Sequence, residues 1–131
     1  MAEGIFRKEA ENDSKLQKIA VQSAGLSASK SASATQNAIA VCQEHNIDIS
    51  DHHAQLLTAQ HLENTDLFVC MTLSHAYALL NEGVDKKKIH ILNVSDPFGG
   101  DINVYCNCFV ELEIKIKELK ELILKHYGDT L

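Results

Sequence analysis

The sequence has one arginine, Arg7, and one proline, Pro97, in 131 residues. Its first cysteine is Cys42, so no cysteine precedes an arginine anywhere along it. No apolar run approaches the ~20 residues a membrane-spanning helix needs, and the start, Met-Ala-Glu-Gly, has no apolar signal-peptide region. The four cysteines, Cys42, Cys70, Cys106 and Cys108, include no C-x-x-C pair and no secreted disulfide framework. Cys106 and Cys108 lie two apart on a predicted helix, point away from each other and do not share a metal. A basic surface is lacking too. The net charge is −6, and lysines cluster only at 86–88 and along the last helix, where they alternate with glutamates. These absences argue against a secreted, membrane or nucleic-acid-binding protein and leave a reducing cytoplasm as the expected compartment.

What is present suits one domain. An apolar fraction of 45% and a charged fraction of 23% are those of a soluble globular chain long enough to bury a core. Residues 1–12 read as an amphipathic helix with no N-cap before it, and 18–21 as a short strand. Residues 26–35 are small and hydroxyl-rich, a surface loop. Thr35 caps a helix over 36–45, and Asn46 stops it. Thr58 caps a short helix over 59–64, without a capping box, because the glutamate falls three residues after Gln60. Residues 66–71 form a buried strand, Thr72 opens a helix over 73–81 that stops at Gly83, and Lys86-Lys87-Lys88 form a charged turn. A third strand covers 89–94. From 102 to 126, Tyr105, Phe109, Leu112, Ile116, Leu119 and Ile123 share one helical face. Alternating strands and helices predict an α/β fold of three layers, a parallel sheet flanked by helices. The site then lies beyond the carboxyl ends of the strands, where 23–25, 71–75 and 95–100 converge.

The most informative stretch is Asp96-Pro97-Phe98-Gly99-Gly100. Pro97 fixes its own φ and holds Asp96 extended or in a turn. An acid held at a strand end beside two glycines suits proton transfer, and equally suits a turn in which Asp96 only caps. Asp51-His52-His53 resembles a metal site, but neighbouring side chains diverge by about 100° on a helix and point oppositely in a strand, so no metal is expected there. His75 and His90 flank strands and read as packing or hydrogen-bonding residues. No cofactor is expected.

Several short pieces, in order, resemble the low-molecular-weight protein-tyrosine phosphatase family. They are Met1-Ala-Glu-Gly-Ile-Phe-Arg7, Val21-Gln-Ser-Ala-Gly25, His45-Asn-Ile-Asp-Ile-Ser-Asp-His52, Leu57-Thr58, Thr65-Asp-Leu-Phe-Val-Cys-Met-Thr72, His75 and Asp96-Pro-Phe-Gly-Gly-Asp101. The resemblance implies a doubly wound, four-stranded parallel sheet. It also implies Asp96 as general acid and Ser23 as a hydrogen-bonding support for the phosphate-binding loop. In that family a cysteine thiolate in a C-x5-R loop at a helix N-terminus attacks phosphorus. Backbone N–H groups, the helix dipole and the arginine hold the phosphoryl oxygens and lower the thiol pKa. The aspartic acid protonates the leaving group and then activates water on the phosphocysteine. The implied partner is a phosphorylated protein or a small phosphoester. The loop over 26–35 carries Ser27, Ala28, Ser29, Lys30 and Ser31 in place of slot-lining aromatics, which leaves phosphoarginine open beside phosphotyrosine. The Asp96–Gly100 motif favours the phosphatases over the arsenate reductases that share the scaffold.

The family's C-x5-R is not in this sequence. Met-Ala-Glu comes directly after that loop in the family, so the first strand, the nucleophile and the phosphate arginine are expected to be missing from an N-terminally truncated single domain, 1–131. Arg7 matches a position downstream of the loop. Cys42, Cys70, Cys106 and Cys108 read as packing residues, so the sequence as given is expected to be inactive. A late start at an internal methionine, a fragment of a longer polypeptide, and a shortened noncatalytic binding or regulatory remnant all remain open. A central strand buries about four large side chains at roughly 1.5–3 kcal/mol each, comparable with a domain's whole ~5–15 kcal/mol. Its loss also leaves strand edges unpaired. The 131 residues alone are therefore expected to fold poorly or to self-associate through those edges. Size-exclusion chromatography with thermal unfolding checks this, and a cooperative transition from a clean monomer contradicts it.

Overall fold

The computed structural model describes residues 1–26 and 34–131. Most of the expected loop over 26–35, including Ser27, Ala28, Ser29, Lys30 and Ser31, lies outside the described residues. The helices are α1 (Ala2–Ala10), α2 (Gln36–Glu44), α3 (Ala59–Asn64), α4 (Leu73–Asn81) and α5 (Ile102–Tyr127). Two short strands, β1 (Phe68–Cys70) and β2 (Ile89–Ile91), pair in parallel with Phe68 opposite Ile89 and Cys70 opposite Ile91. The architecture is α/β, a small parallel sheet flanked by helices.

Local chemistry explains most boundaries. Thr35 accepts the Ala38 amide and starts α2, and Asp101 accepts the Val104 amide and starts α5. Asn46 at φ 61° and Gly83 at φ 91° turn the chain away after α2 and α4. The charged turn at 86–88 is a 3-10 turn in which Asp85 accepts the Lys87 amide. Thr72 holds the N-cap of α4 but makes no cap bond, because its hydroxyl is engaged with Ser74 Oγ at 2.9 Å.

Three expectations need correction. The strand over 18–21 does not form. A 3-10 turn covers Leu16–Lys18, and the extended chain after it makes one bridge, Gly25 to Leu56. A β-prone run becomes a strand only where a neighbouring strand accepts its ladder, and the described residues offer none there. The other two strands are shorter than their apolar runs, although Leu92 N still donates to Cys70 O and Val94 N to Met71 O, both at 2.8 Å. Thr58 does form a capping box: His61 Nδ1 takes the third-position role usually filled by glutamate, accepting the Thr58 amide at 3.0 Å.

Side chains alternate across the strands. Phe68 and Cys70 are buried with Ala76 and Leu79 of α4, beside Leu62 of α3. On the other side Leu92 and Val94 join the larger core of α1, α2 and α5. Helix α5 buries the six residues its periodicity picks out, together with Cys108. Phe109 is 1% exposed and stacks on His45 with ring centroids 4.0 Å apart. Helix α1 lies so close to the chain after α2 that a Cβ on Gly4 would come within 2.9 Å of Ile47 Cγ2. Lys120 Nζ bonds Glu9 at 3.2 Å, and Lys8 Nζ bonds His45 O at 2.6 Å, joining α1 to its neighbours.

Phe109→Ala is expected to cost about 3–5 kcal/mol, enough to unfold a marginal domain. Tyr77→Ala, at a side chain 58% exposed, is expected to stay within about 0.5 kcal/mol of the parent. Urea denaturation monitored by circular dichroism checks both.

Candidate active site

The acid-bearing turn sits just beyond β2. Asp96 is exposed, and its Oδ1 accepts the Phe98 amide at 3.0 Å. Gly100 N then donates to Pro97 O at 2.9 Å, closing a four-residue turn whose third residue, Gly99, has φ 84°. That is the type II pattern, which favours glycine at its third position. Gly100 is constrained in another way: a Cβ there would lie 2.7 Å from Val104 Cγ1 and 3.0 Å from Pro97 O. Asp101 comes next as the α5 cap. Two tertiary hydrogen bonds reach this stretch among the described residues. Asn37 Nδ2 donates to Gly100 O at 3.3 Å, and the Cys108 thiol donates weakly to Ser95 O at 3.8 Å. A parallel link joins the same helices, where the Thr35 hydroxyl donates to the buried Tyr105 OH at 3.1 Å.

Ser23 lies in a second cluster, against the first turn of α1. Its hydroxyl donates to Glu3 Oε1 at 2.8 Å. Arg7 Nε donates to Glu3 Oε2 at 3.0 Å, and the same guanidinium reaches Val21 O at 2.6 Å. Gln55 Nε2 donates to Ser23 O at 2.9 Å. These groups line a cleft of about 310 Å³ with Asp51, His52 and His53. Burial pushes the Glu3 carboxyl up, but the hydrogen bonds from Ser23 and Arg7, with the Arg7 charge and His52, outweigh it and hold Glu3 below the usual range. Arg7 is thereby occupied with its own helix and the 21–23 segment. No hydrogen bond or ion pair joins Ser23 to Asp96 among the described residues.

All four cysteines are free thiols. Burial pushes Cys42, Cys70 and Cys108 up, away from the thiolate a nucleophile needs. Cys42 and Cys108 pack in the larger core and Cys70 against α4. No cluster of three potential metal ligands occurs among the described residues, Asp51-His52-His53 included. His75 is exposed, whereas His90 is half-buried and faces Glu118 and Lys115 of α5. Its pKa is lowered, chiefly by burial. No described helix is long and apolar enough to cross a membrane.

Residues 1–127 match the family model described as low molecular weight phosphotyrosine protein phosphatase. The chain belongs to this family. It is 31% identical to the protein-arginine-phosphatase of Bacillus subtilis (strain 168), covering 95% of this chain and 88% of that one. A crystal structure of the low molecular weight protein tyrosine phosphatase from T. tengcongensis is 33% identical with a TM-score of 0.82, covering 92% of this chain and 87% of that one. A YwlE arginine phosphatase with a phosphorylated active site serine gives a TM-score of 0.86 at 30% identity, covering 95% of this chain and 87% of that one.

Sequence reasoning singled out Asp96 and Ser23 as candidates but not the residues that hold the segments around them. The Glu3–Arg7 pair was legible as an i,i+4 charge pair on a predicted helix. Gln55 and Asn37 carried no signal, since a polar residue in a loop or first helical turn reads as solvated. The depressed Glu3 carboxyl sets a pH dependence. Its stabilisation is complete above the unfolded value of 4.5 and is lost as pH falls through the lower folded value. Glu3→Gln is expected to flatten that acid limb of stability, measured as denaturation midpoints from pH 7 down to 3.

Proposed function

We propose that these residues form the acid side of a protein phosphatase site, with Asp96 as general acid. The observation that carries this is the rigid turn that displays an exposed Asp96 beyond β2 in a member of this family. In the reaction, a cysteine thiolate attacks phosphorus and the bond to the leaving group breaks. Asp96 gives its proton to the departing oxygen, leaving phosphocysteine. Asp96, now a carboxylate, takes a proton from water as that water attacks phosphorus, releasing phosphate and the thiolate. The thiolate and the phosphate arginine belong to a C-x5-R loop absent from the 131 residues, so this stretch alone is inactive in our reading. What supports this is the lack of any cysteine ahead of Arg7, the occupied Arg7 and the three buried thiols raised in pKa. In the family that loop lies directly before the helix residues that Met1-Ala-Glu3 resembles. Ser23, against the first turn of α1, supports it from there.

The proposed substrate is a phosphorylated amino-acid side chain on a protein. Phosphotyrosine is the reading the family favours. Phosphoarginine is the second reading, favoured by the activity for which the Bacillus subtilis relative is named. There Asp96 protonates the departing guanidino nitrogen. The free thiols and acidic net charge support a cytoplasmic setting without nucleic-acid or membrane partners.

The first measurement is the intact mass of the native polypeptide, which shows whether residues carrying C-x4-C-R-S-P or a close variant accompany these. The 131 residues alone are expected to leave p-nitrophenyl phosphate, phosphotyrosine and phosphoarginine peptides unhydrolysed. Polypeptide carrying the loop is expected to hydrolyse at least one, and Asp96→Asn to lower kcat by roughly 10²–10⁴-fold. Turnover by the 131 residues, or an Asp96→Asn variant as fast as its parent, would overturn the proposal.

A further inference from the structure

We infer that Asn37 is a positioning residue for Asp96. The inference rests on reading Asp96 as the acid and adds the group that sets where its carboxyl lies. The carboxyl is fixed to its own turn through the Phe98 amide. The turn is closed by the Gly100 amide on Pro97 O, and Gly100 packs against Val104 with no room for a Cβ. Asp96, the turn and the start of α5 thus form one short rigid unit. Burial of α5 fixes one end of this unit and Val94, bonded to Met71 O, the other, which leaves the turn between them to be held by its own tertiary hydrogen bonds. The bond from Cys108 is a thiol donor at 3.8 Å, too weak to set a position. Asn37 supplies the amide donor, from the second residue of α2 to the carbonyl at the far end of the turn. The adjacent Thr35–Tyr105 bond clamps α2 to α5 one turn further on, and Thr35 Oγ1 also accepts the Ala38 amide. Asn37 therefore projects from a helix end already fixed against α5, and a donor on such a base can locate a turn.

The geometry also separates positioning from plain stability. Asn37 occupies the second position of α2, where a negative side chain interacts favourably with the helix dipole. Asn37→Asp removes the donor, places an acceptor near Gly100 O and favours the helix. A merely structural Asn37 predicts a loss of protection spread evenly through the turn and α5. A positioning Asn37 predicts equal stability and a loosened turn.

The test uses the polypeptide carrying the loop, with hydrogen exchange at the Phe98 and Gly100 amides as the readout of the turn. For Asn37→Asp and Asn37→Ala, exchange at both amides is expected to rise roughly threefold to tenfold, the range of one net hydrogen bond. Amides in the middle of α5 should not change. Asn37→Gln, which keeps the amide, is expected to recover part of the protection. Unchanged exchange at Phe98 and Gly100 in Asn37→Asp overturns the inference, as does an equal rise throughout α5. The Asp96→Asn kinetics decide the acid reading separately. Loss of that reading with a loosened turn in Asn37→Asp would leave Asn37 an anchor of the turn without a catalytic consequence.

Discussion

The rest of the structure depends on the burial of one face of α5. Tyr105, Phe109, Leu112, Ile116, Leu119 and Ile123 form a continuous apolar stripe along this helix, and each is buried. Helices α1 and α2 lie against it, and the ends of the strands reach it through Leu92 and Val94. A sheet of two three-residue strands has too little ladder to be stable alone. Here α1, α2 and the chain after β2 pack on α5, while α3 and α4 cover the other side of the sheet.

That dependence carries into the site. The Asp96 turn is the last piece of chain before α5, and its end is the α5 cap. An acid placed there inherits the rigidity of the longest helix in the protein. The opposite cluster, Ser23 with Glu3 and Arg7, inherits its position from α1, which reaches α5 through Glu9 and Lys120. The two clusters are thus built on different helices that share one packing surface. Their relative placement is set by the core, with no hydrogen bond between them among the described residues.

The electrostatics divide the same way. Glu3 is partly buried and keeps its charge because Ser23 and Arg7 satisfy it. Cys42, Cys70 and Cys108 are buried, and that burial raises each thiol above its ordinary value, outweighing the N-terminal ammonium near Cys42 and Cys108. A nucleophilic cysteine needs the opposite surroundings: a helix N-terminus, aligned amides and a free guanidinium.

The sequence by itself determined the fold class, the helices of the described residues, the buried face of α5 and the proline-glycine turn that follows Asp96. Each rests on a local rule: a 3.6-residue period, a capping side chain, or a proline and two glycines close together. Only the tertiary structure decided what those rules do not reach. Residues 18–21 are β-prone, yet strand formation needs a partner, so Lys18 closes a 3-10 turn and the chain runs on from Ile19 without forming a strand. Thr58 acquired a capping box because His61 placed its ring nitrogen where glutamate usually sits, a geometric substitution invisible to a motif. Asn37 and Gln55 became anchors because distant carbonyls came within reach. Hydrogen bonds between residues 32 and 63 apart in sequence arise from packing, and no local pattern encodes them.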